Sequence, residues 1–343
     1  MSLTPSSESN TGGALATPPS AIVVPQSPPS APVMRATSGI SKKLEKKGAQ
    51  FALQYDLFRS VQAIIDAGRA RDPDAAAGTY SSWERKLHAL YDSLLAIAPE
   101  LADELAVRGS TGSTELAEMI ERGRTRDRNN IVNTCKTGIR DWIEFSPPLP
   151  MEKQYRGFNC ESSGHFICPV VYDYGDVKVR AALLEYHADY PAGAEDYPAL
   201  LWRDNRADRT DFFKGFGEGC LICKALQHIL IAPSVAKSSD GVTSHSNRKG
   251  RARIYNLRTV TPAMIAYAAS MVVFGAGSEE ERGKFWYEGF YNSLIRTIED
   301  VMPEDRRAAL LSFHAARVIS ATQEVEATAR RVNSVAYYMA AQA

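Results

Sequence analysis

Two thiols and an imidazole lie close together in the run Cys220-Leu221-Ile222-Cys223, followed by His228. Thiolates at this spacing with a nearby imidazole are the ligand types of a zinc site. A structural site needs a fourth ligand, and the chain has no second Cys-x-x-Cys pair. Cys160, Cys168 and His165 would supply one only if the fold carried them across. No βαβ pattern surrounds the motif, as a thioredoxin-like redox pair would require. The competing reading places these residues on a buried helix, where a free cysteine behaves as a small hydrophobe. On that reading no cofactor is predicted.

A second chemical constellation is Cys160-Glu161-Ser162-Ser163-Gly164-His165-Phe166-Ile167-Cys168. It packs two thiols, a carboxylate and an imidazole into one segment. A Cys–His pair can form an activated nucleophile or half of a metal site. The alternative is a loop tied down by its aromatic neighbours, with no convergent geometry.

The third is basic. Arg248, Lys249, Arg251, Arg253 and Arg258 surround Tyr255 without an intervening acid. Lysine and arginine contacts to phosphate dominate nucleic-acid affinity, and arginine also stacks on bases. The polar stretch before them suggests an exposed loop, whose arginines pair with surface carboxylates on the favoured reading and with phosphate on the other. Lys42, Lys43, Lys46 and Lys47 form a further cluster, readable as an import signal or as the solvated first turns of a helix. Arg122, Arg124, Arg126 and Arg128 alternate, so on a helix they point several ways. The glycines of Gly215-Phe216-Gly217-Glu218-Gly219 lack the preceding strand and the lysine of a phosphate loop.

The elements that would position these groups are helical. Thr261-Pro262 is a start signal, with threonine as cap and proline in the first turn. The helix it opens runs through Ile265, Met271 and Val272 to Gly275. Gly217 to Ile231 reads as another helix, stopped at Pro233. Trp286 to Val301 is a third, and Pro303-Glu304-Asp305 opens a fourth with acids in its first turn. A last, alanine-rich helix is expected over Thr322 to Met339. Earlier in the chain Phe51, Tyr55, Phe58 and Ile65 recur at helical spacing. Ser81 or Ser82 caps a helix carrying Leu87, Leu90, Leu94 and Leu95. Pro99 to Val107 and Ser113 to Ile143 follow as separate helices. Ser146-Pro147-Pro148-Leu149-Pro150 cannot be helical throughout. From there to about Tyr174 the composition predicts a long ordered loop with short extended pieces at Phe166–Tyr172.

Residues 1 to about 45 are rich in Pro, Ser and Ala, and the first aromatic residue of the chain is Phe51. Such a segment cannot offset its ordering entropy and is expected to be a disordered tail. The remainder divides into helical parts at 46–145 and 179–343 joined by an irregular connector at 146–178. The alternative division reads residues 46–343 as one domain. The fold class expected is mainly α: a multi-helix, bundle-like globule, two layers around one core, with the Pro/Gly-rich connector on the surface.

Forty basic residues balance forty acidic ones, so no overall field draws the chain to nucleic acid or an anionic membrane. Five cysteines, an odd and sparse set, argue for reduced thiols in a nuclear or cytoplasmic protein. The first residues lack the basic and apolar regions of a secretory signal. The most apolar window, Ala263 to Phe274, falls short of the roughly 20 residues of a spanning helix.

The second half resembles an uncharacterised domain family of mushroom-forming fungi, domain of unknown function 6698. The residues that carry the resemblance begin with Leu200-Leu201-Trp202, Lys214-Gly215-Phe216 and Cys220. They continue through Gln227-His228-Ile229-Leu230 and Ala232-Pro233-Ser234-Val235-Ala236. The clearest stretch is Val260-Thr261-Pro262 with Ile265-Ala266-Tyr267-Ala268-Ala269 and Phe274, followed by Phe290-Tyr291 and Leu310-Leu311. The similarity spans about Tyr155 to Ile319. It departs from the family at Ala232, where a serine is usual, and at Phe313-His314, where a tryptophan pair is usual. The resemblance implies a fungal intracellular protein and no catalytic residue.

The expected function is therefore a non-enzymatic helical interaction protein with an unidentified protein partner, able to touch nucleic acid through the basic loop. The alternative is an enzyme or metal-binding protein using the Cys160–Cys168 segment with Cys220, Cys223 and His228.

Overall fold

The computed structural model describes residues 31–76, 78–238 and 250–320. The chain divides at Gly39, and all packing discussed below lies within residues 40–343, which cluster as one unit. The expected helix over Thr322 to Met339, and Arg248 and Lys249 of the basic run, lie outside the described residues.

The first helix, α1, runs Ala31–Gln54, beginning earlier than composition suggests. Its lysines Lys42, Lys43 and Lys46 are exposed, while Leu44 and Phe51 are buried. Ser60 caps α2 (Val61–Ala70), and Ser81 with Glu84 forms a reciprocal capping box on α3 (Ser82–Ile97). The expected third and fourth helices are the two segments of α4 (Glu100–Gly138), separated by a kink at Gly109, whose φ of 64° glycine tolerates without a Cβ penalty. A 3₁₀ turn, Ile139–Asp141, ends it.

The region expected as a surface loop is instead built into the interior. It forms 3₁₀ turns at Lys153–Tyr155 and Gly157–Asn159 and a short helix, α5 (Glu161–Ile167). Leu149, Lys153, Arg156 and Phe158 are all buried. No strand forms at Phe166–Tyr172 or anywhere among the described residues; two isolated bridges, Pro169 to Pro198 and Trp202 to Phe216, are the extended contacts. Composition misled here because the ordering comes from distant helices, which local propensity does not register.

After α6 (Val177–Leu184) come α7 (Cys220–Leu230), α8 (Pro233–Lys237) and α9 (Arg251–Ile254). Thr261 caps α10 (Pro262–Ala276), its hydroxyl accepting from Met264 N at 3.2 Å. α11 (Glu279–Lys284), α12 (Tyr287–Arg296) and α13 (Glu304–Ala315) complete the set, with π-turns at Thr297–Val301 and Ala316–Ser320. The fold is mainly helical, and among the described residues no helix is long and apolar enough to cross a membrane.

Two hydrophobic cores form rather than one. The smaller gathers Leu44, Ile64, Leu94 and Ile120 from α1 to α4. The larger centres on α10, where Ala266, Ala268, Ala269 and Val272 have no exposed surface. A helix apolar on every side is a core helix, and α10 packs against α4, α7 and α12. Each large side chain it buries contributes about 1.5–3 kcal/mol. α4 serves both cores, its first half facing the smaller and Ile131, Cys135 and Ile139 the larger.

Candidate functional site

The interior end of the connector carries two buried cations. Arg156 is 1% exposed. Its guanidinium donates from Nε to Pro150 O (2.8 Å), from Nη1 to Lys136 O (2.9 Å) and Gly275 O (2.8 Å), and from Nη2 to Met151 O (3.0 Å). Lys136 and Gly275 lie in the last turns of α4 and α10. There a helix leaves carbonyls without intrahelical donors and favours positive charge. Lys153 Nζ donates to Ser278 O at 3.3 Å and sits 3.8 Å from the Phe274 ring centroid. One short segment thus ties together α4, α10 and the start of α11.

Glu281 meets this segment from the other side. It completes a capping box on α11: Ser278 Oγ accepts from Glu281 N at 3.1 Å, and Glu281 Oε2 accepts from Ser278 N at 2.7 Å. Its second oxygen accepts from Phe158 N at 2.6 Å. Burial pushes the Glu281 carboxyl above its ordinary value, against the hydrogen bonds from Phe158 and Ser278 and the field of Lys153. Among the described ion pairs none involves Glu281. The backbone at Gly157 (φ 69°) passes so close that a Cβ there would lie 2.1 Å from both carboxylate oxygens. Gly157→Ala is therefore expected to lower stability by about 2 kcal/mol, combining a disfavoured backbone region with a collision against a buried side chain. Urea unfolding checks this; a change under about 0.5 kcal/mol would contradict the close approach.

Above Glu281 lies a partly enclosed cavity of about 310 Å³. Phe158, Ile167, Leu183 and Val273 form its apolar floor, and Tyr186, Tyr190, Phe285 and Tyr287 its walls. The polar groups reaching it are Glu281, Lys284, His187 and Asp196. Lys284 Nζ stands 3.3 Å from the Tyr186 ring centroid and 3.2 Å from Glu280 Oε1. Asp196 Oδ2 accepts from Gly193 N at 2.8 Å, shaping the Tyr190–Pro198 loop along one wall.

Tyr186 is held in an unusual way. α6 ends with His187 N donating to Ala182 O (2.9 Å) and Tyr186 N to Leu183 O (3.2 Å). This is the Schellman pattern, which places the residue after the cap in the left-handed region and usually employs glycine there. Here tyrosine occupies it, with φ 53°. A non-glycine residue in that region costs on the order of 1 kcal/mol. The ring it presents is a cavity wall, and burial pushes its phenol up to about 12.

The residues singled out by chemistry alone are not brought together. Cys220 is exposed at the start of α7 and Cys223 is half-buried, its Sγ donating to Glu218 O at 3.8 Å. His228 is buried elsewhere on α7, its ring 5.4 Å from that of Trp142 and its Nδ1 without a hydrogen-bond partner. Among the described residues no three His, Cys, Asp or Glu side chains converge as a metal site would require. The Cys160–Cys168 segment is a helix, not a loop. His165 on it is exposed, whereas Cys160 and Cys168 are buried, so no Cys–His pair forms. Burial pushes the Cys160 thiol up, but hydrogen bonds from Ser162 and Ser163 outweigh it and leave the thiol below its ordinary value. The other buried thiols, Cys135 and Cys168, are pushed up to about 12 by burial.

The basic run is likewise divided. Arg251 turns inward and pairs with Asp127 of α4, beside Tyr255 and Tyr267. Arg253 and Arg258 are exposed. Of the α4 arginines, Arg122 and Arg126 pair with Glu45, and Arg124 is buried between Glu121 and Arg59 O. Arg156, Glu281, Lys284 and Tyr186 escaped the sequence reading. Only Glu281 had a local signal, the capping pattern Ser278-Glu279-Glu280-Glu281.

An all-helical protein with an aromatic-walled cavity beside a buried carboxylate is the class this architecture defines. The chain belongs to the family of unknown function DUF6698, whose sequence model matches residues 122–319. That span begins within α4 and takes in most of the larger core, so the cavity lies wholly inside the family region. No curated protein and no solved structure matches the chain.

Proposed function

We propose that this protein is a non-enzymatic binding module whose cavity between α6, the Tyr190–Pro198 loop and α10–α12 receives a small, largely apolar ligand. The observation that carries the reading is Tyr186, held at a costly backbone conformation where glycine would be free, with its ring on the cavity wall. Strain retained at a concave site is a mark of function, and apolar pockets with a few convergent polar groups are the usual form of ligand sites. The basic run supports a nucleic-acid reading less well, because Arg251 is committed to Asp127.

The test uses N-phenyl-1-naphthylamine, a neutral apolar fluorophore, titrated into the full chain. Saturable fluorescence enhancement is expected. Tyr186→Gly relieves the backbone and removes the wall, so it should keep or raise thermal stability while weakening probe affinity at least about tenfold, or 1.4 kcal/mol. Ala192→Trp, which fills the cavity, should do the same to affinity. Equal probe binding by all three proteins, or none by the wild type, would overturn the reading.

A further inference from the structure

Resting on that reading of the cavity, we infer that its ligand is an organic cation: an ammonium group carried on an apolar body. Three features of the site point to positive charge. Glu281 is a buried carboxylate at the cavity with no ion pair among the described residues, its two oxygens accepting from Phe158 N and Ser278 N, with the Ser278 side chain also acting on it. Each oxygen keeps a second lone pair for a donor or a cation. Lys153, the base whose field it feels, directs its ammonium to Ser278 O and the face of Phe274.

The second feature is the wall. Tyr186, Tyr190, Phe285 and Tyr287 line the space, with Phe158 on its floor, and aromatic faces attract cations through their negative quadrupole. Lys284 shows that such a face here holds an ammonium, since its Nζ rests on Tyr186. That lysine is itself matched by Glu280, so it leaves no free positive charge to repel a second cation. Third, Asp196 adds another carboxylate at the cavity, and His187 is offset by Asp189 at 3.6 Å. A cation would add an ion pair to the hydrogen bonds and the Lys153 field that already act on Glu281, where burial makes charge costly. An anionic one would add like charge beside two carboxylates.

An isosteric series decides the matter by displacement of the fluorophore. The trimethyl(2-phenylethyl)ammonium ion and (3,3-dimethylbutyl)benzene differ only in charge, and 3-phenylpropanoate supplies the anion. The cation is expected to bind at least tenfold tighter than its neutral isostere. Glu281→Gln, which keeps side-chain length and one of the two acceptor oxygens, should abolish that preference. Equal affinity of the cation and its isostere, or tightest binding by the anion, would overturn the cation assignment while leaving the cavity reading intact. Displacement by none of the three would overturn both. The comparison on the wild-type chain stands even where the variant fails to fold.

Discussion

Replacing Arg156 with methionine should lower the unfolding free energy by about 3–5 kcal/mol, the range for leaving buried partners of a charged group unmatched. Methionine approximates the length of the arginine stem but offers no donors. Four carbonyls, from Lys136, Pro150, Met151 and Gly275, would lose their shared partner at once. Removing the cation also removes its own desolvation cost, which lowers its pKa in the fold, so the net loss is less than four charged hydrogen bonds summed. Arg156→Lys should recover only part, because an ammonium cannot reproduce the planar fork. Since domains are stable by only about 5–15 kcal/mol, the methionine variant should be severely weakened. Urea unfolding followed by circular dichroism checks this, and a loss below about 1 kcal/mol would show that the carbonyls find other donors. Phe158 sits two residues from Arg156, so cavity binding should fall with stability.

Acid should weaken the fold through two buried histidines before most surface carboxylates titrate. Burial, reinforced by Arg251 and Lys237, pushes His228 down to about 4. Burial pushes His314 to about 4 as well, against its hydrogen bond to Gly217 O. His314 Nε2 lies 2.8 Å from that carbonyl, which can only accept, so the proton is on Nε2 and Nδ1 is the bare, unpartnered nitrogen. Both folded values lie below the unfolded value of 6.5. The unfolded chain therefore takes up protons first, and stability is lost as pH falls from about 6.5 towards 4, levelling below. Each histidine should contribute roughly 3 kcal/mol over that interval. Glu281 works in the opposite sense, because its raised pKa makes its ionised form costly and acid relieves that cost. Comparison of the wild type with His314→Gln, which keeps a donor for Gly217 O but does not titrate, isolates one histidine. The variant's stability should fall less steeply between pH 7 and pH 4. Parallel curves would mean that His314 ionises normally in the fold.

Much of the architecture was written locally. Thr261-Pro262 set the start of α10, Ser81 the start of α3, and Pro303-Glu304-Asp305 the start of α13, because caps and first-turn charges act within a few residues. The helical class and the apolar run that became the central helix followed from periodicity and composition. So did the helices found at Cys220–Leu230 and Tyr287–Arg296.

What only the tertiary structure decided is where distant residues meet. α5 carries Ser162, Ser163 and Gly164, poor helix formers, and it forms because Gly164 lets Tyr174 pack closely while Tyr174 Oη donates to Phe158 O at 2.9 Å. The connector looked like surface because its ordering partners, Gly275 and Glu281, lie 119 and 123 positions along the chain from Arg156 and Phe158. Arg156 carried no mark among forty basic residues, since a guanidinium becomes a structural clamp only when helix ends present carbonyls to it. The cavity had no sequence signature for the same reason. Its chemistry is a property of the space between elements, and convergence in space depends on how helices pack, not on spacing within any one of them.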